Sequence, residues 1–173
     1  VALWKDLVPM VSHLRNKDMK ERHWDKIEAE LGQSIDRSST ITLGHLLELN
    51  MMDYKDCIIS VSMEATQEAS LEVLLKKVQD RWLHTEFVVN PYKDTKDMFV
   101  LGGVEDIMTV LDESMMMMAN ITSSRYVAGI RNDVMRLENS QKLFSNTLDE
   151  WLECQKNWMY LESIFNAPDI QRQ

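Results

Sequence analysis

The sequence is poor in the two residues that most often interrupt regular structure, with 5 glycines and 3 prolines among 173 residues. It therefore has little material for the many tight turns of a strand-rich fold, whereas its abundant methionine, leucine, glutamate and lysine favour long helices. We predict a mainly α fold, an elongated helical bundle of long antiparallel helices with one small β-hairpin.

Basic clusters and long apolar runs are missing as well. The formal net charge is −9, and the longest basic run is Lys76-Lys77. Nucleic acids and anionic lipids both require a basic surface, so neither is an expected partner. No apolar run approaches the roughly 18 residues of a membrane-spanning helix, and no signal peptide is visible. We expect a cytoplasmic segment with no membrane contact.

Residues with the spacing of a reactive site are also scarce. Cys57 and Cys154 leave one disulfide possible, but two thiols in a reducing compartment are favoured. None of the four histidines lies three or four residues from another histidine or from a cysteine, as a helical metal site requires. Gly102-Gly103 lacks the following Lys-Ser or Lys-Thr of a nucleotide-binding loop. We predict no catalytic, cofactor-binding or metal site, so the segment is not itself an enzyme.

Apolar spacings of three and four residues predict a first helical part over residues 1–84. Its first helical face is interrupted at Pro9, and a second helix over residues 17–31 ends at Gly32. Thr42 is placed to cap a short helix. A long helix over residues 53–84 follows, and its apolar spacing slackens between residues 65 and 71, where we expect a bend.

A hairpin is predicted over residues 85–103, with strands at 86–90 and 97–101 around the turn-rich Pro91-Tyr-Lys-Asp94. The second helical part, residues 104–173, contains one helix over 104–121 and a final helix over 130–165. Polar residues at positions 141, 155 and 162 of the final helix weaken a coiled-coil seam and favour packing within a bundle.

Large aromatic residues are concentrated in the final helix, where Trp151, Trp158 and Phe165 recur every seventh residue and share one face. We expect these rings to be buried, so that truncating Trp151 or Trp158 to alanine would cost about 3–5 kcal/mol. The predicted structural and mechanical core consists of Trp4, Trp24, Trp82, Phe144, Trp151, Trp158, Tyr160 and Phe165.

Several motifs, in order along nearly the entire chain, resemble the linker region of dynein heavy chains. They are Arg22-His23-Trp24, Thr42-Leu-Gly44, Pro91-Tyr-Lys-Asp94 and the ending from Trp151 through Trp158 and Tyr160 to Phe165 and Asp169-Ile170. The motifs Tyr-Lys-Asp-Thr and Ala-Pro-Asp-Ile-Gln-Arg-Gln are similar to those of axonemal members, and the subtype they resemble is a single-headed inner-arm heavy chain. Two positions depart from the family: Leu137 replaces a usual tryptophan, and Ala128-Gly129 replaces a common proline.

The resemblance implies that residues 1–173 are a fragment from the N-terminal part of the linker of an ATP-driven, minus-end-directed microtubule motor in the ciliary or flagellar axoneme. This segment would transmit the power stroke of the AAA ring to the tail. ATP and Mg²⁺ would bind in the ring of the parent chain and not in this segment. The expected partners are the AAA ring of the same chain and other axonemal dynein subunits, without direct microtubule contact.

Two alternatives stay open. In the first, the segment is a docking module for accessory dynein chains or neighbouring motors. It would bind them through exposed apolar patches, such as the run Met115 to Met118 and the hairpin. A hidden enzyme, the third hypothesis, would need a metal or a cofactor. Core filling is the favoured role of the methionine run, since at most two of its four residues can share one helix face.

Overall fold

The computed structural model describes residues 2–36, 42–167 and 170, apart from the side chains of residues 2–6 and 43. The described helices are α1 (Ala2–Leu14), α2 (Glu21–Leu31), α3 (Leu43–Glu48), α4 (Lys55–Leu83), α5 (Val104–Ser123) and α6 (Arg131–Phe165). Short 3-10 helices at Met51–Tyr54 and Val127–Ile130 precede α4 and α6, and the strands are β1 (Val88–Pro91) and β2 (Phe99–Gly102). The prediction of a mainly α fold with one small hairpin is confirmed for this part of the chain.

The chain divides into two compact units. The first unit comprises Val1–Val73 and Ser124–Ile130, and the second comprises Leu74–Ser123 and Arg131–Gln173. The hairpin therefore belongs to the same unit as α5 and α6. The three-part division at residues 84 and 103 stays a prediction about how the segment is organised in the parent chain.

The core of the first unit is built from α1, α2, α3 and the start of α4. Its buried members are Leu7, Met10, Leu14, Ile27, Leu31, Ile35, Leu46, Met51, Ile58 and Val61. Gly32 ends α2 in the left-handed region, at φ 70°, and donates its N–H to the carbonyl of Glu28. Thr42 caps α3 by accepting a hydrogen bond from the N–H of His45. Both predicted helix ends are thus confirmed.

Two predicted boundaries in this unit are wrong. Helix α1 continues through Pro9, because the ring points outward while Leu7 and Met10 on either side stay in the core. The helix expected from residue 17 begins at Glu21. The side chain of Asn16 accepts a hydrogen bond from the N–H of Asp18 at 3.0 Å and holds residues 16–19 in a turn.

Helix α4 is continuous from Lys55 to Leu83, and the bend expected between residues 65 and 71 stays a prediction. Its buried face runs through Ala65 and Glu68 to Leu75. The apolar pattern fails there because a glutamate occupies a core position. The helical period itself is kept.

In the second unit, α5 packs on α6. Buried residues of α5 include Ile107, Leu111, Met118 and Ile121. Within the methionine run, Met118 is buried, whereas Met115 and Met116 are exposed. The predicted core-filling role is therefore confirmed for Met118 and not for Met115 or Met116.

The hairpin pairs Val88 with Gly102, Val89 with Leu101, Asn90 with Val100 and Pro91 with Phe99, in antiparallel register. Its strands lie within one or two residues of the predicted ones. After β2, Gly103 takes a positive φ of 60°, a conformation that glycine adopts without strain.

Two further findings concern the environment of the chain. Cys57 and Cys154 are both free thiols, as favoured from the sequence. Among the described residues, no helix combines the length and apolar character needed to cross a lipid bilayer.

Candidate functional site: the hairpin and the aromatic face of α6

The hairpin is joined to α6 by a side chain that acts like a neighbouring strand. The amide of Gln155 accepts a hydrogen bond from the N–H of Leu101 at 2.8 Å and donates one to its carbonyl at 3.0 Å. In an antiparallel ladder, both backbone groups of one residue point to the same side. Gln155 therefore closes the outer edge of β2 at Leu101.

Two helical turns further on, Glu162 makes a second connection. Its carboxylate accepts hydrogen bonds from the hydroxyl of Tyr92 at 2.9 Å and from Nζ of Lys93 at 2.5 Å. The hydrogen bond from Lys93 lowers the pKa of Glu162, and the same bond raises the pKa of Lys93. Tyr92 is buried, and its ring lies 5.0 Å from that of Trp158. The turn of the hairpin is thus held by an ion pair, a hydrogen bond from Tyr92 and an aromatic contact.

Between these connections and the start of the hairpin lies an apolar groove of about 450 Å³. Phe144 stands at its base, 5.0 Å from Trp82 and 6.0 Å from Phe87 between ring centroids. The groove is lined by Phe87, Val89, Leu101, Phe144, Thr147, Leu148 and Trp151. With no charged side chain in its wall, the groove suits an apolar occupant.

The structure places the predicted core aromatics in three environments. Trp24 is half-buried against the core of the first unit, and the side chain of Trp4 lies outside the described residues. Trp82 and Phe144 are half-buried and touch each other. The remaining four are exposed: Trp151 by 58%, Trp158 by 38%, Tyr160 by 68% and Phe165 by 63%.

The expectation that these four rings are buried is therefore wrong for this segment. Helix α6 meets the hairpin through Gln155 and Glu162. The hairpin therefore lies on one flank of the aromatic column of α6, which consists of Phe144, Trp151, Trp158 and Phe165. Trp151 and Trp158 do not lose enough surface to support the full-burial cost of about 3–5 kcal/mol. Their mechanical role stays a prediction.

A polar cluster in the first unit was not anticipated from the sequence. The guanidinium of Arg22 is paired with the carboxylate of Glu68, which is only 3% exposed, and lies 3.5 Å from Glu72. The hydrogen bond to Glu68 raises the pKa of Arg22. A Cβ added to Gly129 would overlap the carboxylate of Glu68. Glycine at 129 thus lets the chain before α6 lie directly against this ion pair.

His23 completes the cluster. Its Nδ1 accepts a hydrogen bond from the backbone N–H of Lys20 at 3.0 Å, so the neutral ring carries its proton on Nε2. Nε2 lies 3.7 Å from Glu68 and has no hydrogen-bond partner among the described residues. Burial lowers the pKa of His23, which is therefore neutral at physiological pH. In the sequence, the sign of this polar cluster was the gap in apolar spacing around Glu68.

No set of three or more histidine, cysteine, aspartate or glutamate side chains is placed to hold a metal ion, within the part of the chain that the structure describes. The contacts between the hairpin and α6, and the polar cluster around Glu68, consist of ion pairs, hydrogen bonds and aromatic contacts. Groups of this kind attach parts of a fold to one another.

The chain is similar to known proteins over its whole length. The model of the family "Dynein heavy chain, N-terminal region 2" matches residues 1–173. Human dynein axonemal heavy chain 6 is 46% identical over the whole chain. Rat dynein axonemal heavy chain 1 is 33% identical over 98% of the chain, and human dynein axonemal heavy chain 2 is 33% identical over all of it. The chain spans 4% of the length of each of these relatives. It belongs to the dynein heavy chain family and corresponds to N-terminal region 2.

Proposed function

We propose that this segment is a mechanical part of the linker of a dynein heavy chain, transmitting the nucleotide-driven power stroke of the AAA ring to the tail. The observation that carries the proposal is the double attachment of the hairpin to α6. Gln155 and Glu162 connect α6 to the hairpin one heptad apart, at Leu101 and at the Tyr92–Lys93 turn. A lever must resist bending, and attachment at two points along a 35-residue helix resists it better than one.

The activity, location and partners of the parent chain are inferred from family membership and are part of the same proposal. The parent is an ATP-driven, minus-end-directed microtubule motor that acts in the cytoplasm of cilia or flagella, in the axoneme, as the names of its relatives suggest. ATP and Mg²⁺ bind in the AAA ring of the parent. The AAA ring is also the expected partner of this segment, and other axonemal dynein subunits are further partners.

The proposal is tested in the heavy chain by releasing the hairpin with Gln155→Leu and Glu162→Ala combined. We expect microtubule gliding to slow severalfold while the ring continues to hydrolyse ATP, because a more flexible linker would transmit less of the movement of the ring to the tail. Glu153→Ala is the matched control, since Glu153 is exposed on the same helix. Unchanged gliding speed, together with hydrogen exchange showing a released hairpin, would contradict the proposal.

A docking module is the second candidate, and the exposure of Trp151, Tyr160 and Phe165 favours it. In that case the aromatic variants Trp151→Ala and Phe165→Ala would remove accessory chains from the purified complex. Gliding by each remaining motor would stay normal. The two candidates therefore separate when subunit composition and gliding speed are measured on the same preparation.

A further inference from the structure

The two strands of the hairpin differ in whether their outer edge is occupied. Gln155 binds both backbone groups of Leu101, so the outer edge of β2 is taken at this residue. The residues of β1 are all exposed, and Val89 is exposed by 55%. An exposed strand edge offers unpaired N–H and carbonyl groups to another extended chain. The phase of the ladder determines which residues of β1 carry such groups.

This phase is set independently by Leu101 and by Tyr92. The N–H and carbonyl of Leu101 point away from β1, towards Gln155, so Leu101 and its partner Val89 exchange no hydrogen bonds with each other. The N–H of Tyr92 donates to the carbonyl of Met98 at 2.9 Å, which places Tyr92 in the alternate, hydrogen-bonded set. Both observations give the same phase. The N–H and carbonyl of Val89 therefore point outward, away from β2.

The open part of this edge is short and is limited by Pro91. Pro91 has the same phase as Val89, so its carbonyl points outward, and the N–H that proline lacks is not needed by the hairpin. Neither backbone group of Val89 has a hydrogen-bond partner among the described residues. The open edge thus consists of the N–H and carbonyl of Val89 and the carbonyl of Pro91.

The face of the hairpin that carries Val89 also forms one wall of the apolar groove. Phe87 and Val89 lie two residues apart and share a face, and Leu101, opposite Val89, lies on that same face. All three line the groove of about 450 Å³, together with Trp151 of α6. The residue of an added strand that lies beside Val89 would direct its side chain to this face. Because Val89 belongs to both, the open edge and the groove form one continuous surface.

Acidic residues border this surface at the end near Phe87. Glu86 directly precedes Phe87, and Glu150 lies beside Trp151 and one helical turn after Thr147, two residues that line the groove. Both carboxylates are exposed, and neither makes an ion pair within the described part of the chain. Complementary charge at the rim of an interface favours one partner over others. A basic residue therefore suits this end of the surface.

A strand satisfies this surface better than a helix does. The backbone groups of a helix are bonded within the helix, so a helix laid over the edge would bury the N–H and carbonyl of Val89 without a partner. An extended chain supplies a carbonyl and an N–H to them. The neighbouring β-branched residue Val88 also favours extended structure at this edge.

We propose that β1 is the docking edge for an extended segment of a separate protein, which adds a strand beside Val89. The docked segment has apolar side chains at alternate positions, facing the groove, and a basic residue at the end near Glu86 and Glu150. Its intervening residues are polar, because they lie on the opposite face, where Val88 and Asn90 are exposed. The proposal concerns binding and stands whether or not the segment transmits force.

The experiment measures hydrogen exchange of the purified heavy chain with and without a synthetic probe peptide. The probe alternates valine with threonine and carries a lysine at one end. We expect residues 87–91 to become protected at saturating probe. A probe with glutamate in place of the lysine should bind severalfold more weakly at low salt. Equal binding of these two probes would overturn the assignment of a basic residue to the partner.

Two N-methylated probes separate strand addition from apolar adhesion. One is methylated at the amides of its valines and the other at the amides of its threonines. Since alternate amides of an added strand point towards β1 and away from it, one methylated probe should bind about tenfold more weakly and the other normally. Equal effects of the two sets, or no effect of either, would overturn the proposal.

Val89→Pro tests the same edge from the side of the heavy chain. This substitution removes the outward N–H but no hydrogen bond of the ladder, so the hairpin should keep its protection while the probe binds about tenfold more weakly. Val89→Ile is the matched control, because it keeps the N–H and a β-branched side chain, and it should bind normally. Undiminished binding by Val89→Pro would overturn the proposal. If Val89→Pro unfolds the hairpin, the methylated probes decide on the native chain.

The heavy chain without probe supplies the last outcome. Residues 87–91 should exchange freely there, at low and at high protein concentration. Protection without the probe would mean that another part of the chain, or a second copy, already covers β1, and would overturn the proposal.

Discussion

The side-chain amide of Gln155 satisfies both backbone hydrogen-bonding groups of Leu101, 54 positions earlier in the chain. Through this pairing, a side chain of α6 takes the place that a third strand would occupy beside β2. An isolated hairpin is marginal in water, and an added edge contact of this kind is one way to hold it in place.

Gln155→Leu keeps much of the side-chain volume but leaves the N–H and carbonyl of Leu101 without their partner. Two lost hydrogen bonds should lower the free energy of unfolding of this unit by about 1–3 kcal/mol. Hydrogen exchange of the peptide containing residues 88–102 measures the loss directly. If its protection did not change, the amide pairing would contribute nothing to holding the hairpin.

Gln141→Leu is the same substitution on the same helix, with the opposite expected sign. Gln141 is buried, and neither its Oε1 nor its Nε2 has a hydrogen-bond partner among the described residues. Replacing an unsatisfied buried amide with an apolar side chain should raise the free energy of unfolding by about 1–3 kcal/mol. Chemical denaturation monitored by circular dichroism checks the sign, and a destabilised variant would indicate a buried partner such as an ordered water.

Gly129→Ala should disturb the Arg22–Glu68 ion pair, because the new Cβ would overlap the carboxylate of Glu68. We expect a loss of about 1–3 kcal/mol, as for other insertions into a filled space. Exchange of the peptide containing residues 124–130 should rise. Gly44→Ala is the control, since a Cβ there meets only Thr42 Oγ1 at an ordinary 3.7 Å. Equal effects of the two substitutions would contradict the close approach at residue 129.

The link between the hairpin turn and α6 should depend on acid. The pKa of Glu162 is lowered from its ordinary 4.5 by the hydrogen bond from Lys93. The unfolded chain therefore takes up this proton first as the pH falls, and the stability that the pair contributes is present above pH 4.5 and is lost as the pH falls through the lower folded pKa. The protection of residues 92–98 against exchange should fall more steeply with acid in the native sequence than in Glu162→Gln. Parallel pH profiles would show that another group carries the effect.

Local structure in this chain was largely predictable, because local rules specify it. Gly32 ends α2 and Thr42 caps α3 through hydrogen bonds to residues three or four positions away. The hairpin lies within two residues of its predicted place because turn residues and β-branched segments mark it. Where prediction of helices failed, at Pro9 and at residue 17, tertiary burial and an asparagine side chain overrode the pattern.

The candidate site was only half predictable. The aromatic column of α6 is visible in the sequence, but Gln155 and Glu162 stood out there only as polar interruptions of a seam. Their function depends on Leu101 and Tyr92, more than 50 residues away, and no local pattern encodes that pairing. Glu68 was likewise visible only as a gap in apolar spacing, and its ion pair with Arg22 joins residues 46 positions apart.

The sequence by itself determined the mainly α class, the position of the hairpin, the seven-residue repeat of aromatics and membership of the dynein heavy chain family. Periodicity specifies which side chains share a face, and propensity specifies where helices begin and end. Only the tertiary structure decided which flank of the aromatic column is covered. The physical reason is that coverage depends on long-range contacts: the hairpin takes the flank of Gln155 and Glu162, and Trp151, Leu161 and Phe165 stay exposed on the other.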